Sequence, residues 1–229
     1  MLMPKTFSII VVLFSALLSI SSAQDELSLQ FLAMPKQTRP EPVELLIGEN
    51  QTIEVQTPGN ELSRTYQVPM LESIVVGKTS VNDNGESVFE VYGRARSIGT
   101  SKQIILLMRK GNENRDGFVV IPINGELGNF KGGSYLFINA SEMNVAGRIG
   151  DKTFELAPGR RELLQPAATH EGGGCQVTLA FRREQEWKVF RDTRWTVNER
   201  YRSLVFFHQN SVSGKLMVSP IVEILPYEP

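Results

Sequence analysis

Apolar and polar residues alternate with a period of two along much of this 229-residue chain. Leu27-Ser28-Leu29-Gln30-Phe31 alternates, and so do Thr52 to Val55, Val88 to Tyr92, Cys175 to Phe181 and Tyr201 to Phe207. Successive side chains of a strand point to opposite faces, so this spacing predicts half-buried strands. Ile104 to Met108 and Phe118 to Ile123 are short continuous apolar runs, which predict central strands covered on both faces. Turn residues punctuate these runs: Pro58-Gly59, Asn84-Gly85, Asp116-Gly117, Asn124-Gly125, Gly132-Gly133, Pro158-Gly159 and Gly172-Gly173-Gly174. Asn-Gly and Asp-Gly accept the positive φ that tight hairpins require. No long segment keeps a helical apolar period with caps. The prediction is an all-β chain of short strands, in sandwiches or barrels.

A fragment of this pattern occurs twice. Ile47-Gly48, Thr52-Ile53-Glu54-Val55, Pro58-Gly59 and Glu61-Leu62 are echoed by Ile149-Gly150, Thr153-Phe154-Glu155-Leu156, Pro158-Gly159 and Glu162-Leu163. Ile104 to Leu107 before Pro122-Ile123 is echoed by Leu204 to Phe207 before Pro220-Ile221. An offset near 100 residues is one small domain, too long for a solenoid repeat. The expected architecture is two tandem immunoglobulin-like β-sandwich domains, at 24–128 and 129–229, with the break near Gly125 to Gly132. Pro35 to Pro42 reads as a proline-rich loop, Thr169 to Gly174 as a surface loop and Leu225 to Pro229 as a tail.

Residues 1–23 change the picture of where the chain works. Lys5 supplies a positive start, Phe7 to Ile20 is apolar apart from three serines, and Ser21-Ser22-Ala23 puts small residues at a cleavage site. This is the pattern of a signal peptide cut before Gln24. The apolar run is shorter than the ~20 residues a membrane-spanning helix needs. The expected location is periplasmic or extracellular, with no membrane span after cleavage.

Charge excludes one class of partner. Residues 24–229 hold 23 basic and 25 acidic groups, far from the basic excess of a nucleic-acid binder. The distribution is uneven, 4 basic against 11 acidic in residues 24–92, then 19 against 14. Such asymmetry can steer association, although solvated surface is the simpler reading. One thiol, Cys175, cannot close an internal disulfide, and its parity with Val177, Leu179 and Phe181 places it in a core. His170 and His208 are the two histidines, and neither stands in a metal-binding or triad motif. Asn82-Asp83-Asn84-Gly85 lacks the glutamate of a calcium loop and reads as a hairpin turn. Asn50-Gln51-Thr52 and Asn139-Ala140-Ser141 match the glycosylation sequon. The chain carries no nucleophile elbow, phosphate-binding loop or dinucleotide fingerprint. No catalytic residue, metal or cofactor is expected.

One segment has the composition of a binding surface. Trp187, Phe190, Trp195 and Tyr201 lie among Arg182, Arg183, Lys188, Arg191, Arg194, Arg200 and Arg202. Rings beside guanidinium groups stack on sugars or on a partner's side chains. Arg182, Arg183, Trp187, Arg191, Arg194, Trp195 and Arg202 are the candidate patch, with an anionic polysaccharide or a protein as partner. The competing reading buries the rings and leaves the basic groups in solvent. A rival function is hydrolysis of an envelope polysaccharide by a carboxylate pair from Glu184, Glu186 and Asp192.

Gly133-Ser134-Tyr135-x-Phe137-x-Asn139-x-Ser141, then Gly147-x-x-Gly150, then Phe154-x-Leu156-x-Pro158-Gly159, resembles a pattern of uncharacterised exported bacterial proteins with tandem β-sandwich domains. That resemblance implies an exported protein of Gram-negative type and no known activity. A more distant resemblance, in size and in the Asn-Ala-Ser after a strand, is to periplasmic alginate-acetylation accessory proteins. Periplasmic pilus chaperones are similar in length and domain count, but their proline-rich strand motif is missing here. The expectation is a non-enzymatic binding or accessory protein of the cell envelope.

Overall fold

A computed structural model describes residues 26–35, 41–109, 117–168, 173–210 and 213–226. The expected signal peptide, His170 and much of the loops at Pro35 to Pro42 and Thr169 to Gly174 lie outside the described residues. Those residues form sixteen strands and no helix. The first eight are β1 (Glu26–Met34), β2 (Val43–Gly48), β3 (Gln51–Val55), β4 (Tyr66–Pro69), β5 (Ser73–Val81), β6 (Ser87–Arg96), β7 (Lys102–Arg109) and β8 (Phe118–Asn124). The second eight are β9 (Tyr135–Asn139), β10 (Val145–Ile149), β11 (Lys152–Leu156), β12 (Arg161–Leu164), β13 (Gly174–Arg183), β14 (Glu186–Thr196), β15 (Tyr201–Gln209) and β16 (Leu216–Ile224).

Each half is a sandwich of two four-stranded sheets, as the alternating pattern predicts. The first half has the orders β4-β1-β7-β8 and β3-β2-β5-β6; the second has β12-β9-β15-β16 and β11-β10-β13-β14. Adding eight to every strand number of the first half gives the second. β1 runs parallel to β7, as β9 does to β15. The repeated fragments occupy equivalent places: Thr52 to Val55 lies in β3 and Thr153 to Leu156 in β11. Ile104 faces Ile123 and Ile105 faces Pro122, just as Leu204 faces Ile221 and Val205 faces Pro220. Both prolines stand on edge strands, where a missing N–H breaks no ladder. The echo ends at Pro-Gly, because Glu61-Leu62 precedes β4 while Glu162-Leu163 lies within β12.

The halves also share a β-bulge. The register slips between Val76 and Gly77 in β5, leaving Tyr92 of β6 as the extra residue. It slips between Leu179 and Ala180 in β13, leaving Phe190 of β14. Each extra ring turns toward its own core. This register makes Gly93 and Arg191 equivalent, a difference developed below.

Three cores hold the layers together. Leu29, Phe31, Leu45, Ile74, Val76 and Ile105 fill the first sandwich. Phe137, Val145, Ile149, Cys175, Val177, Leu179, Val205 and Phe207 fill the second. A third core, Leu32, Ile104, Leu106, Phe130, Ile138, Leu204, Phe206 and Ile221, joins the two sandwiches through the outer faces of the β1-β7-β8 and β9-β15-β16 sheets. Burying one such leucine or phenylalanine contributes about 1.5–3 kcal/mol. The halves therefore meet mainly through apolar surface, with the Lys102–Glu223 ion pair at 3.6 Å beside it.

The third core corrects two readings of the strands. β15 was expected to be half-buried, yet every residue from Arg202 to Phe207 is buried, because both faces of its sheet are covered. β8 was expected to be central, yet it is an edge strand with Val119 exposed. The Asn82 to Gly85 turn is the expected hairpin: the Asn82 side-chain oxygen accepts from the Asn84 and Glu86 amides, and Gly85 takes φ 80°.

Asn139 is fully buried. Its side-chain amide donates to the carbonyls of Met143 at 2.8 Å and Leu156 at 2.9 Å. Its oxygen accepts from the Ser141 amide at 3.0 Å and hydroxyl at 2.7 Å. The Asn139-Ala140-Ser141 sequon is thus an internal tie between the β9–β10 loop and the end of β11, out of reach of glycosylation.

Candidate functional site

The structure scatters the seven-residue candidate patch over five places. Arg182 and Trp187 face each other across β13 and β14, on the outer face of the second sandwich. Trp187 is 41% exposed, so for this ring the core reading is wrong. Arg183 stands beside the hairpin tip, 3.7 Å from Glu184. Arg191 and Arg194 are exposed along β14, an edge strand. Trp195 turns inward instead. It lies opposite Cys175 and stacks on Tyr135 at 5.4 Å and on Phe137 at 6.2 Å between ring centres.

Arg202 does not belong to any surface patch. It points from β15 into the contact between the sandwiches and is 1% exposed. Its Nε donates to Glu223 Oε2 at 2.6 Å. Its Nη1 donates to the carbonyls of Gly125 at 2.9 Å and Phe130 at 2.6 Å, and the guanidinium lies 4.6 Å over the Phe130 ring. These groups replace most of the water that the guanidinium loses on burial, and Nη2 alone is left without a partner.

Around Trp187 the register builds an open groove of about 760 Å³ across the outer face of the β11-β10-β13-β14 sheet. One row of side chains is Glu155, Ala146, Ala180 and Val189. The next is Thr153, Arg148, Thr178 and Asp192. The alanines leave a low floor, Trp187 and Val189 supply exposed apolar surface, and Thr153, Arg148 and Thr178 of the second row supply donors and acceptors, with Asp192 beyond the groove's edge. Asp192 accepts from the Gln176 amide and the Thr178 hydroxyl, and Arg148 Nε donates to the Gly150 carbonyl at 3.2 Å. Glu162, from the neighbouring β12, completes the lining with Glu155.

The hairpin that presents Trp187 is strained. Glu184 and Gln185 take φ 50° and 71°, the left-handed region that glycine or asparagine normally fills in a two-residue turn. Glu184, Glu186 and Asp192, the expected carboxylate set, spread along this turn and strand, and none lines the groove. The carboxylates beside the aromatic platform are Glu155 and Glu162, which strand parity alone did not bring together with Trp187.

The remaining titratable candidates are structural. Cys175 is fully buried in the second core, and burial pushes its thiol up, with Asp151 adding to the shift. Reactive cysteines show the opposite, a lowered value in a partly exposed, electropositive setting. His208 sits near the contact between the sandwiches, with Nε2 2.9 Å from Ser219 Oγ, and burial holds it below the ordinary histidine value. Neither family models nor curated proteins provide a match to this chain.

Proposed function

We propose that the chain is an exported, non-enzymatic binding module of the cell envelope that holds a polysaccharide against the outer face of its β11-β10-β13-β14 sheet. The observation that carries this reading is the exposed Trp187 ring at one end of a groove floored by Ala146 and Ala180. A sugar presents apolar C–H faces and a rim of hydroxyls. The indole and the alanine floor take the first; Thr153, Thr178, Arg148 and Glu155 take the second. Arg148 and Arg182 offer planar forks to the carboxylates of an acidic chain. Groove charges are mixed, so salt weakens binding without abolishing it.

Retention on immobilised acidic polysaccharide tests the proposal. Trp187→Ala should remove retention, and Arg148→Ser with Arg182→Ser should lower it, with circular dichroism unchanged. Equal retention of the folded Trp187→Ala protein refutes the reading. Glu155 and Glu162 support a second reading, a hydrolase of the same polymer, since glycoside hydrolysis runs on two carboxyl groups. Release of reducing ends that disappears in Glu155→Gln or Glu162→Gln selects the enzyme. Binding without release selects the module.

A further inference from the structure

The two sandwiches repeat strand for strand, so each serves as the reference for the other, and they differ sharply at one place. In the first sandwich the side between β6 and β8 is closed. Gly93 permits the closure: a Cβ there would lie 2.7 Å from Val120 Cγ2 and 2.8 Å from the Phe118 carbonyl oxygen. The interior end is plugged by Gln103, fully buried, whose amide donates to Ser97 Oγ at 2.7 Å and to the Thr100 carbonyl at 3.2 Å.

The glycine, the plug and the plug's partner are all replaced in the second sandwich, although Val218 still stands where Val120 does. Arg191 stands where Gly93 does, and β14 and β16 do not approach as β6 and β8 do. Ser203 pairs with Tyr135 and Val222, as Gln103 pairs with Leu29 and Asn124. Trp195 follows Arg191 at the spacing with which Ser97 follows Gly93. The shorter Ser203 leaves the plug out. What remains is a slot of about 370 Å³ between the two edge strands, lined by Tyr135, Trp195, Tyr201, Ser203, Pro220 and Val222, with Arg194 at its rim.

We infer that this slot binds an aromatic ring carrying a carboxylate. The walls are rings and aliphatic groups, which suits a planar apolar body. Tyr135 has no proton to offer a ligand, because its hydroxyl donates to the Thr196 carbonyl. Among the described residues, the lining side chains with polar groups that lack a partner are the Arg194 guanidinium, the Trp195 indole N–H and the Thr196, Tyr201 and Ser203 hydroxyls, nearly all of them donors suited to an anion. A guanidinium at the mouth matches one carboxylate. A sugar fits less well, because its many hydroxyls would face Pro220, Val222 and the ring surfaces with too few partners, and a buried unpaired hydroxyl is costly. The slot shares no lining residue with the Trp187 groove, so the two proposals stand or fall separately.

The test is calorimetric titration of the purified protein with phenylacetate and indole-3-acetate, beside benzyl alcohol, glucuronate and a short peptide ending in phenylalanine. Saturable binding of the aromatic acids is expected, with Arg194→Gln weakening it roughly tenfold, as loss of one charge-assisted contact does. Ser203→Gln puts in the side chain that plugs the first sandwich and should abolish binding with the circular dichroism of the folded protein unchanged. Val222→Phe, at the exposed rim, is the second filling variant. If the peptide binds as well as phenylacetate and is blocked by Ser203→Gln, the ring belongs to a chain end. If only the free acids bind, it belongs to a small molecule, and both results uphold the aromatic anion. No saturable binding of aromatic acids at millimolar concentration overturns the inference. So does equal binding of glucuronate, or binding that both filling variants leave unchanged.

Discussion

Replacing Arg202 by methionine tests the view that this residue clamps the two sandwiches rather than serving a surface. The substitution keeps most of the aliphatic stem and removes the fork. It leaves the carbonyls of Gly125 and Phe130 without their donor, in the connection between β8 and β9, and removes the closest partner of Glu223. Deleting one member of a buried ion pair costs about 3–5 kcal/mol. Glu223 keeps Lys102 at 3.6 Å, and its side chain is 15% exposed, so the lower end applies, about 3 kcal/mol. For a chain of this size each kcal/mol moves the melting midpoint by about 2–4 °C, which gives a fall of about 6–12 °C. The assay is urea and thermal unfolding followed by circular dichroism, with amide exchange read at Phe130 and Gly133, which should speed up. Arg202→Lys should recover under half of the loss, since an ammonium cannot reach Glu223 and both carbonyls with fixed geometry. A loss below about 1 kcal/mol for Arg202→Met would refute the reasoning, because that is the range of an exposed pair.

Four further outcomes are expected. Asn139→Ala should cost about 2–4 kcal/mol in denaturant unfolding, since it orphans the Met143 and Leu156 carbonyls and leaves a void. Glu184→Asn with Gln185→Gly should stabilise by about 1–2 kcal/mol by relieving the two left-handed residues, with a higher melting midpoint as the readout. Cys175 should resist a thiol reagent in the native protein at pH 8 and label fully in urea; rapid native labelling would contradict its burial. His208 is held below its ordinary value, so the unfolded chain takes up the proton first. Stability should then be full above the unfolded value near 6.5 and fall as pH drops toward the folded one, and His208→Asn should flatten that slope.

The period of two marked the strands, but it could not say how many faces each sheet buries. Tyr201 to Phe207 reads as half-buried because Arg202 and Ser203 are polar, although Leu204 to Phe207 is continuously apolar. In the fold both faces are covered, and Arg202 is buried with its own carboxylate and carbonyls around it. A basic residue in a strand looks the same in sequence whether water or a second sheet lies beyond it. The Asn139 sequon was opaque for a related reason: three residues specify a motif, and the backbone carbonyls from Met143 and Leu156 that claim the side chain are set by the tertiary fold. The patch residues were found by composition, and composition carries no direction. Neighbours on β14 point to opposite faces or sit at the bulge, so Trp187 and Trp195 serve different surfaces.

The repeat was the most legible feature, and more information lay in its imperfections than in its matches. Once Ile104 to Ile123 is aligned with Leu204 to Ile221, the sequence sets Gln103 against Ser203 and Asn124 against Val222. Two halves under the same packing constraints keep the residues that the fold requires, such as the edge prolines Pro122 and Pro220. Where one half seals its interior with a glycine contact and a buried amide, and the other puts an arginine, a tryptophan and a serine, the fold does not require the second set. Sealing is the more stabilising solution, since it buries apolar surface and gives the Gln103 amide nitrogen two acceptors. A sandwich that leaves its end open with rings exposed in a slot forgoes that stabilisation, and a ligand that fills the slot would return it. The thermal midpoint of the protein should therefore rise on saturation with an aromatic acid and stay fixed in Ser203→Gln, whose slot is already filled.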